Sequence, residues 1–188
     1  MNALILIGGK SSRMGIDKSR LVYYQKPQYQ HIFDLLRNFF PKENIYFSVS
    51  KKHNKIEGQV IEDIYPDLGP FSAIYSALKK NNRKSWLVLA IDIPYINYDL
   101  LNILIKGRDS LKTATAFQGI TKKYPEPLIT IWEPKALVLL EENLKCENYS
   151  LVSILKNHPI KTILIDDKTI ENVNTIRFYK KVKKDLEK

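Results

Sequence analysis

The run ALILI, residues 3–7, is apolar at every position and is followed at once by Gly8 and Gly9. A strand with one wet face alternates apolar and polar residues, so an unbroken apolar run must be covered on both faces. That places it inside a largely parallel sheet with helices above and below. Six more short runs read as strands: NIYFSV (44–49), QVI (59–61), SWLVLAI (85–91), TATAF (113–117), PLITIW (127–132) and KTILI (161–165). Helical stripes lie between them, the clearest formed by Ile32, Leu35, Leu36, Phe39 and Phe40. Asn97 stands where it caps a helix carrying Leu100, Leu101 and Leu104, and Thr175 where it caps one carrying Tyr179, Val182 and Leu186. This alternation predicts an α/β fold, a three-layer αβα Rossmann-like sandwich with a mostly parallel, mixed sheet. No repeat, low-complexity tract or Gly/Ser-rich linker divides the chain, so residues 1–188 read as a single domain.

Composition narrows the function classes. The lone cysteine, Cys146, forms no internal bridge, and no Cys/His cluster has metal spacing, which argues against zinc and for a reducing compartment. The N-terminus has no signal-peptide pattern and no apolar run is long enough to span a membrane, so a soluble, cytoplasmic protein is expected. The formal charge is +10, which favours polyanionic partners, from nucleic acids to phosphorylated small molecules. From Arg177 onward six basic residues stand against two acidic ones, the pattern of a solvated helix face. No aromatic-interleaved RNA motif accompanies them, and nucleic acid is not expected as a partner.

In sheets of this kind ligands bind beyond the carboxyl ends of the strands, where strand order reverses. Three segments occupy such ends: GGKSSRMGIDK (8–18), EDIYPDLGP (62–70) and DIPY (92–95). In the first, Gly8 and Gly9 permit successive amides to point at one anion while Arg13 and Lys18 add full charges, as a polyphosphate requires. Ile16 and Asp17 precede Lys18, so this is not a Walker A loop, and no G-x-G-x-x-G is present.

The same segment resembles the L-x-G-G-x-S-x-R-M-G-x-D-K signature of the MobA-type molybdenum cofactor guanylyltransferases, within the nucleotidyltransferase superfamily. Leu6, Gly8, Gly9, Ser11, Arg13, Met14, Gly15, Asp17 and Lys18 match it in order without a gap. The implied ligand is a nucleoside triphosphate.

Asp92 follows a strand directly and is stopped there by Pro94. Read alone, it suits either a Mg²⁺ site, which needs only one or two carboxylates beside phosphate oxygens, or the cap of its own turn. AIDIP resembles the family's C-D-x-P segment, and the resemblance implies the metal. Asp63 resembles the aspartate ahead of the family's G-P-L-x-G-I element, with Asp67 the competing choice. Phe71 and Ala73 stand where that element has Leu and Gly. The resemblance implies nucleotide contacts by Leu6, Ile7, Gly8, Gly9, Lys18, Ser48, Asp63 and Asp92. Ile7 and Ser48 depart from the family's usual Ala and Asn, which bears on the base pocket.

YPEPL (124–128) resembles the family's P-E-P-L segment, and NVNT (172–175) the element implied to lie on the molybdopterin side, through Asn172 and Asn174. Their polar amides can donate and accept hydrogen bonds to a pterin or a phosphate, or simply form a turn ahead of the Thr175 cap. Ile176 and Arg177 replace the family's Pro and Glu.

The expected reaction transfers GMP from GTP to the molybdenum–molybdopterin cofactor, releasing pyrophosphate, with Mg²⁺ as cofactor and Arg13, Lys18 and Asp92 as the catalytic set. A phosphate nucleophile is already anionic, so no histidine base is needed. A monomer that meets no membrane is expected. The alternatives are a cytidylyltransferase, a sugar-phosphate nucleotidyltransferase, a nucleotide-binding regulator with a dead site and, outside enzymes, a basic nucleic-acid-binding module.

Overall fold

The computed structural model describes residues 1–7, 21–50, 56 and 58–186. Seven strands form one sheet: β1 (Asn2–Leu6), β2 (Ile45–Val49), β3 (Gln59–Glu62), β4 (Trp86–Ala90), β5 (Ala114–Gly119), β6 (Ile129–Trp132) and β7 (Lys161–Ile165). Their order across the sheet is β3-β2-β1-β4-β6-β5-β7. Only β6 runs against its neighbours; the other pairings are parallel. All seven predicted strands are present, each within two residues of its expected ends.

The first strand behaves as its composition requires. Ala3, Leu4 and Ile5 are fully buried although successive side chains point to opposite faces, so both faces of β1 are covered. Among the described residues the helices are α1 (Gln28–Leu36), α2 (Pro70–Lys80), α3 (Tyr98–Lys106), α4 (Ala136–Lys145), α5 (Leu151–Asn157) and α6 (Ile176–Leu186). α1 and α2 pack on β1, and α3 packs on β5 and β6. None of the described helices is long and apolar enough to cross a membrane.

Helix boundaries follow local chemistry. Asn97 caps α3, its side chain accepting the Leu100 amide at 2.9 Å. Thr175 caps α6 through the Phe178 amide at 3.2 Å. The helix expected to reach Phe40 ends at Leu36 and gives way to turns that stop at Phe40, the residue before Pro41, which is disfavoured in helical geometry. Phe40 still closes the core at 6% exposure, and Phe39 stacks on Tyr98. The apolar stripe is kept because turns continue beyond Leu36, with the Asn38 amide donating to the Leu35 carbonyl at 3.2 Å and the Phe39 and Phe40 amides to the Leu36 carbonyl at 2.9 Å.

A second, smaller cluster lies apart from the main core. Leu21, Tyr23, Val173 and Val182 are its buried members, joined by Tyr24, Tyr95, Phe178, Tyr179 and Leu186. It binds α6 and the segment around Val173 to residues 21–24.

Candidate active site

Strand order reverses at β1. The chain moves outward from β1 to β2 and β3, then returns to place β4 on the other side of β1. In sheets with this order the ligand crevice lies beyond the carboxyl ends of the strands that flank the reversal, here β1 and β4. Register aligns these ends: Leu6 lies opposite Ser48 on one side and Ala90 on the other. The Ile91 amide also donates to the Leu6 carbonyl at 3.4 Å. Ile7 is the last described residue before the glycine segment. Gly8, Gly9, Arg13 and Lys18 lie outside the described residues.

On the β2 and β3 side, the Ser48 hydroxyl donates to the Asp63 carboxylate at 2.6 Å, and both residues are buried. Burial pushes the Asp63 carboxyl up to about 6; the Ser48 hydrogen bond opposes that rise, and Glu62 adds to it. The backbone after Asp63 is fastened to α2, with the Ile64 amide donating to Ser76 and the Tyr65 amide to Ser72. Gly69, at φ 55°, turns the chain into α2, which starts at Pro70. Between the two candidate aspartates, Asp63 joins Ser48 at the strand ends while Asp67 is exposed in the 3-10 turn Pro66–Leu68. Phe71 is core, 1% exposed with its ring edge-on to Tyr149.

Asp92 occupies the turn after β4, half-buried between the buried Ile91 and Ile93. Its carbonyl accepts the Val173 amide at 2.7 Å. The Tyr24 hydroxyl donates to the Pro94 carbonyl at 2.8 Å, and Gln28, fully buried at the start of α1, reaches the Ile93 carbonyl at 3.5 Å. Tyr23 is 3% exposed, and its phenol is held well above its ordinary pKa by burial and then by Tyr179 and Asp92. The residues that follow the glycine segment are thus anchored on the Asp92 turn.

The antiparallel sense of β6 brings a third segment to this edge. Ile129 at the start of β6 lies opposite Leu89, and the Ala90 amide donates to the Leu128 carbonyl at 3.1 Å. Residues 125–128 therefore sit beside the end of β4. Glu126 is half-buried there, with its carboxyl pushed up to about 6, first by burial and with a contribution from the Asp92 charge. The Leu128 amide, the Asn172 side-chain amide and Lys122 pull it the other way. A cavity of about 370 Å³ opens beside it, lined by Lys122, Tyr124, Glu126, Ile170, Glu171 and Asn172. Asn174 is exposed.

Among the predicted site residues, Leu6, Ile7, Ser48, Asp63, Asp92 and Asn172 share one edge of the sheet. Reading the sequence did not single out Tyr23, Gln28 or the side chain of Glu126. Only the last left a signal, an acid between two prolines just ahead of a strand. No group of three or more His, Cys, Asp or Glu side chains among the described residues forms a metal cage. The Asp92 carboxylate supplies a hard oxygen that fits a Mg²⁺ ion completed by phosphate and water.

Comparison with known proteins agrees with this geometry. A Flavobacterium johnsoniae protein named "Probable molybdenum cofactor guanylyltransferase" is 28% identical over 178 residues, covering 93% of this chain and 92% of its own length. A "Molybdenum cofactor biosynthesis bifunctional protein" of Synechocystis is 31% identical over 94% of this chain, which spans 52% of that relative. In structure, the molybdopterin-guanine dinucleotide biosynthesis protein A of Archaeoglobus fulgidus superposes with a TM-score of 0.82 at 20% identity, covering 100% of this chain and 99% of that one. That likeness establishes the mixed, mostly parallel nucleotidyltransferase fold. The profile of the MobA-like NTP transferase domain matches residues 3–162, and with that match over most of its length the chain belongs to the MobA-like NTP transferase family.

Proposed function

We propose that this nucleotidyltransferase moves GMP from GTP to molybdenum-bound molybdopterin, forming the molybdopterin guanine dinucleotide cofactor and pyrophosphate. One observation carries the reading. The reversal of strand order at β1 sets Ile7, which leads into the glycine segment, beside the strand end that carries Asp92, and the Val173 amide ties that turn to the segment whose Asn172 lines a cavity with Glu126. Relatives named as molybdenum cofactor guanylyltransferases support the choice of substrates.

In this reading Gly8 and Gly9 bring backbone amides onto the triphosphate, and Leu6, Ile7, Ser48 and Asp63 bound the nucleoside on the β2 and β3 side. Arg13 and Lys18 neutralise charge on the pyrophosphate as it leaves. Asp92 would hold Mg²⁺, which when bound offsets charge on the phosphate oxygens. Asn172 and Asn174 position the acceptor so that its terminal phosphate oxygen lies in line with the α-phosphorus. That oxygen forms the new bond to phosphorus, and the bond to the bridging oxygen breaks with its electron pair leaving on pyrophosphate. No side chain needs to remove a proton, because the nucleophile is ionised at neutral pH. The protein works as a cytoplasmic monomer on GTP and the cofactor, without nucleic acid or membrane.

The experiment is pyrophosphate release with GTP, CTP and ATP, each with and without molybdenum cofactor. Release that requires both GTP and the cofactor is expected. Equal or faster turnover with CTP assigns a cytidylyltransferase instead, and cofactor-independent turnover with a sugar phosphate removes the proposal.

A further inference from the structure

Three successive carbonyls in the turn after β4 each accept a hydrogen bond from a different residue far along the chain. The Val173 amide donates to Asp92 at 2.7 Å, the Gln28 side-chain amide reaches Ile93 at 3.5 Å, and the Tyr24 hydroxyl donates to the buried Pro94 at 2.8 Å. One residue on, the Lys168 ammonium lies over the Tyr95 ring, 5.2 Å from its centre. The peptide planes that follow Asp92 are therefore held from outside, and with them the direction in which its short side chain leaves the backbone.

Tyr24 is itself closely held. Its ring stacks on His31 with centroids 3.9 Å apart and planes 18° from parallel. The loop that carries it is closed at its base, where Val22 bridges Pro27 and the Gln28 amide donates to the Leu21 carbonyl at 2.9 Å. At its tip Gln25 has φ 60°, a left-handed conformation that favours glycine, so the turn presenting Tyr24 is kept at a cost in backbone strain. Burial, and then Tyr95, holds the Tyr24 phenol above its ordinary pKa, so it stays a donor through the neutral range. In sequence the same residue follows Lys18 by six positions. One hydroxyl thus joins the chain that leaves the glycine segment to the turn that carries Asp92.

We propose that Tyr24 is a positioning residue for Asp92: through the Pro94 carbonyl it holds the turn in the form that receives Mg²⁺, so that nucleotide and metal reinforce one another through the protein as well as through the phosphates. The inference rests on the reading of Asp92 as the metal-holding carboxylate and adds the residue that orients it. Linkage is reciprocal, so the gain that metal gives to nucleotide affinity measures the coupling.

The structural half is read without any ligand. In hydrogen exchange on the free chain, Tyr24→Phe should quicken the Val173 amide, which reports on the Asp92 carbonyl, about fivefold more than the amides of residues 87–90 in β4. The functional half is calorimetric titration of GTP and of CTP in Mg²⁺ and in EDTA, the ratio of the two affinities being the gain from the metal. Tyr24→Phe should lower that gain about fivefold and leave the affinity in EDTA within about twofold, which also shows that the variant is folded. Tyr179→Phe, whose lost hydroxyl bonds Val22 and not the turn, should weaken both affinities by a common factor and leave the gain unchanged. Asp92→Asn should abolish the gain. Val173 exchange that quickens no more than β4 in Tyr24→Phe overturns the positioning, whatever the chain binds. A gain lost in Asp92→Asn but kept in Tyr24→Phe, or lowered equally in Tyr179→Phe, overturns the link to the metal. A gain absent from the parent chain, or kept in all three variants, removes Asp92 as the metal holder and the proposal with it.

Discussion

The Val173 amide donates to the Asp92 carbonyl at 2.7 Å, joining the segment that carries Asn172 and Asn174 to the turn that carries the candidate metal ligand. Val173 is fully buried in the smaller core with Leu21, Tyr23 and Val182. The Asp92 turn and the 172–174 segment are therefore joined at this point. The joint is made of backbone and apolar contacts and uses none of the side chains assigned to chemistry.

That division makes Asp92→Asn a clean variant. The bond to Val173 uses the carbonyl, so the melting temperature should stay within a few degrees while turnover falls by about an order of magnitude or more. Lys18→Ala should show a comparable loss. Pyrophosphate release beside a thermal melt checks both, and unchanged rates in either would remove that residue from the catalytic set.

Asp63 predicts a pH dependence with a definite sign. Its carboxyl ionises near 3.8 when unfolded but only at about 6 in the fold, so between those values the folded state holds the extra proton. Stability should then fall as pH rises from about 4 to about 6, with Glu126 contributing in the same direction. Asp63→Asn keeps an acceptor for Ser48 and should flatten this slope. Urea unfolding at several pH values measures it, and a slope as steep as the parent's would show that Asp63 is not its source.

Glu133 is 1% exposed and forms a two-point ion pair with Arg108 at 2.6 and 2.8 Å. It follows the end of β6 at the sheet edge opposite the crevice. Arg108→Met should cost about 3 kcal/mol, the lower end for breaking a buried pair because Arg108 is partly exposed. Chemical denaturation reads the loss, while kcat at a temperature where the variant is folded should not change.

Tyr179 donates to the Val22 carbonyl at 2.9 Å and meets Tyr23 edge-on, tying α6 to the residues that follow the glycine segment. Removing the hydroxyl in Tyr179→Phe should cost about 1 kcal/mol and weaken GTP binding by about fivefold. Hydrogen exchange should quicken at residues 21–24 ahead of the rest of the chain. Uniform quickening across the sheet would mean that α6 supports global stability only.

Much of the architecture was legible because each signal is local. An apolar run such as ALILI needs cover on both faces wherever it sits, and Asn97 caps its helix through its own neighbour Leu100. The end of α1 was missed because apolar residues keep their helical spacing through the turns at 37–40, where the Asn38 and Phe39 amides bond three residues back instead of four. Ser48 and Asp63 were each named, but not as partners, since hydrogen bonding across two strand ends depends on register. Glu126 beside Asn172 was not foreseeable for a similar reason: it follows from β6 running against β4.

By itself, then, the sequence determined the alternation of strands and helices, their caps, and the glycine-rich signature that names the family, because those are set by neighbours along the chain. Tertiary structure alone decided that strand order turns back at β1, that Asp63 rather than Asp67 joins Ser48, and that Glu126 and Asn172 line one cavity. The first two depend on which strands lie side by side and in which direction they run, and no short stretch of residues encodes that.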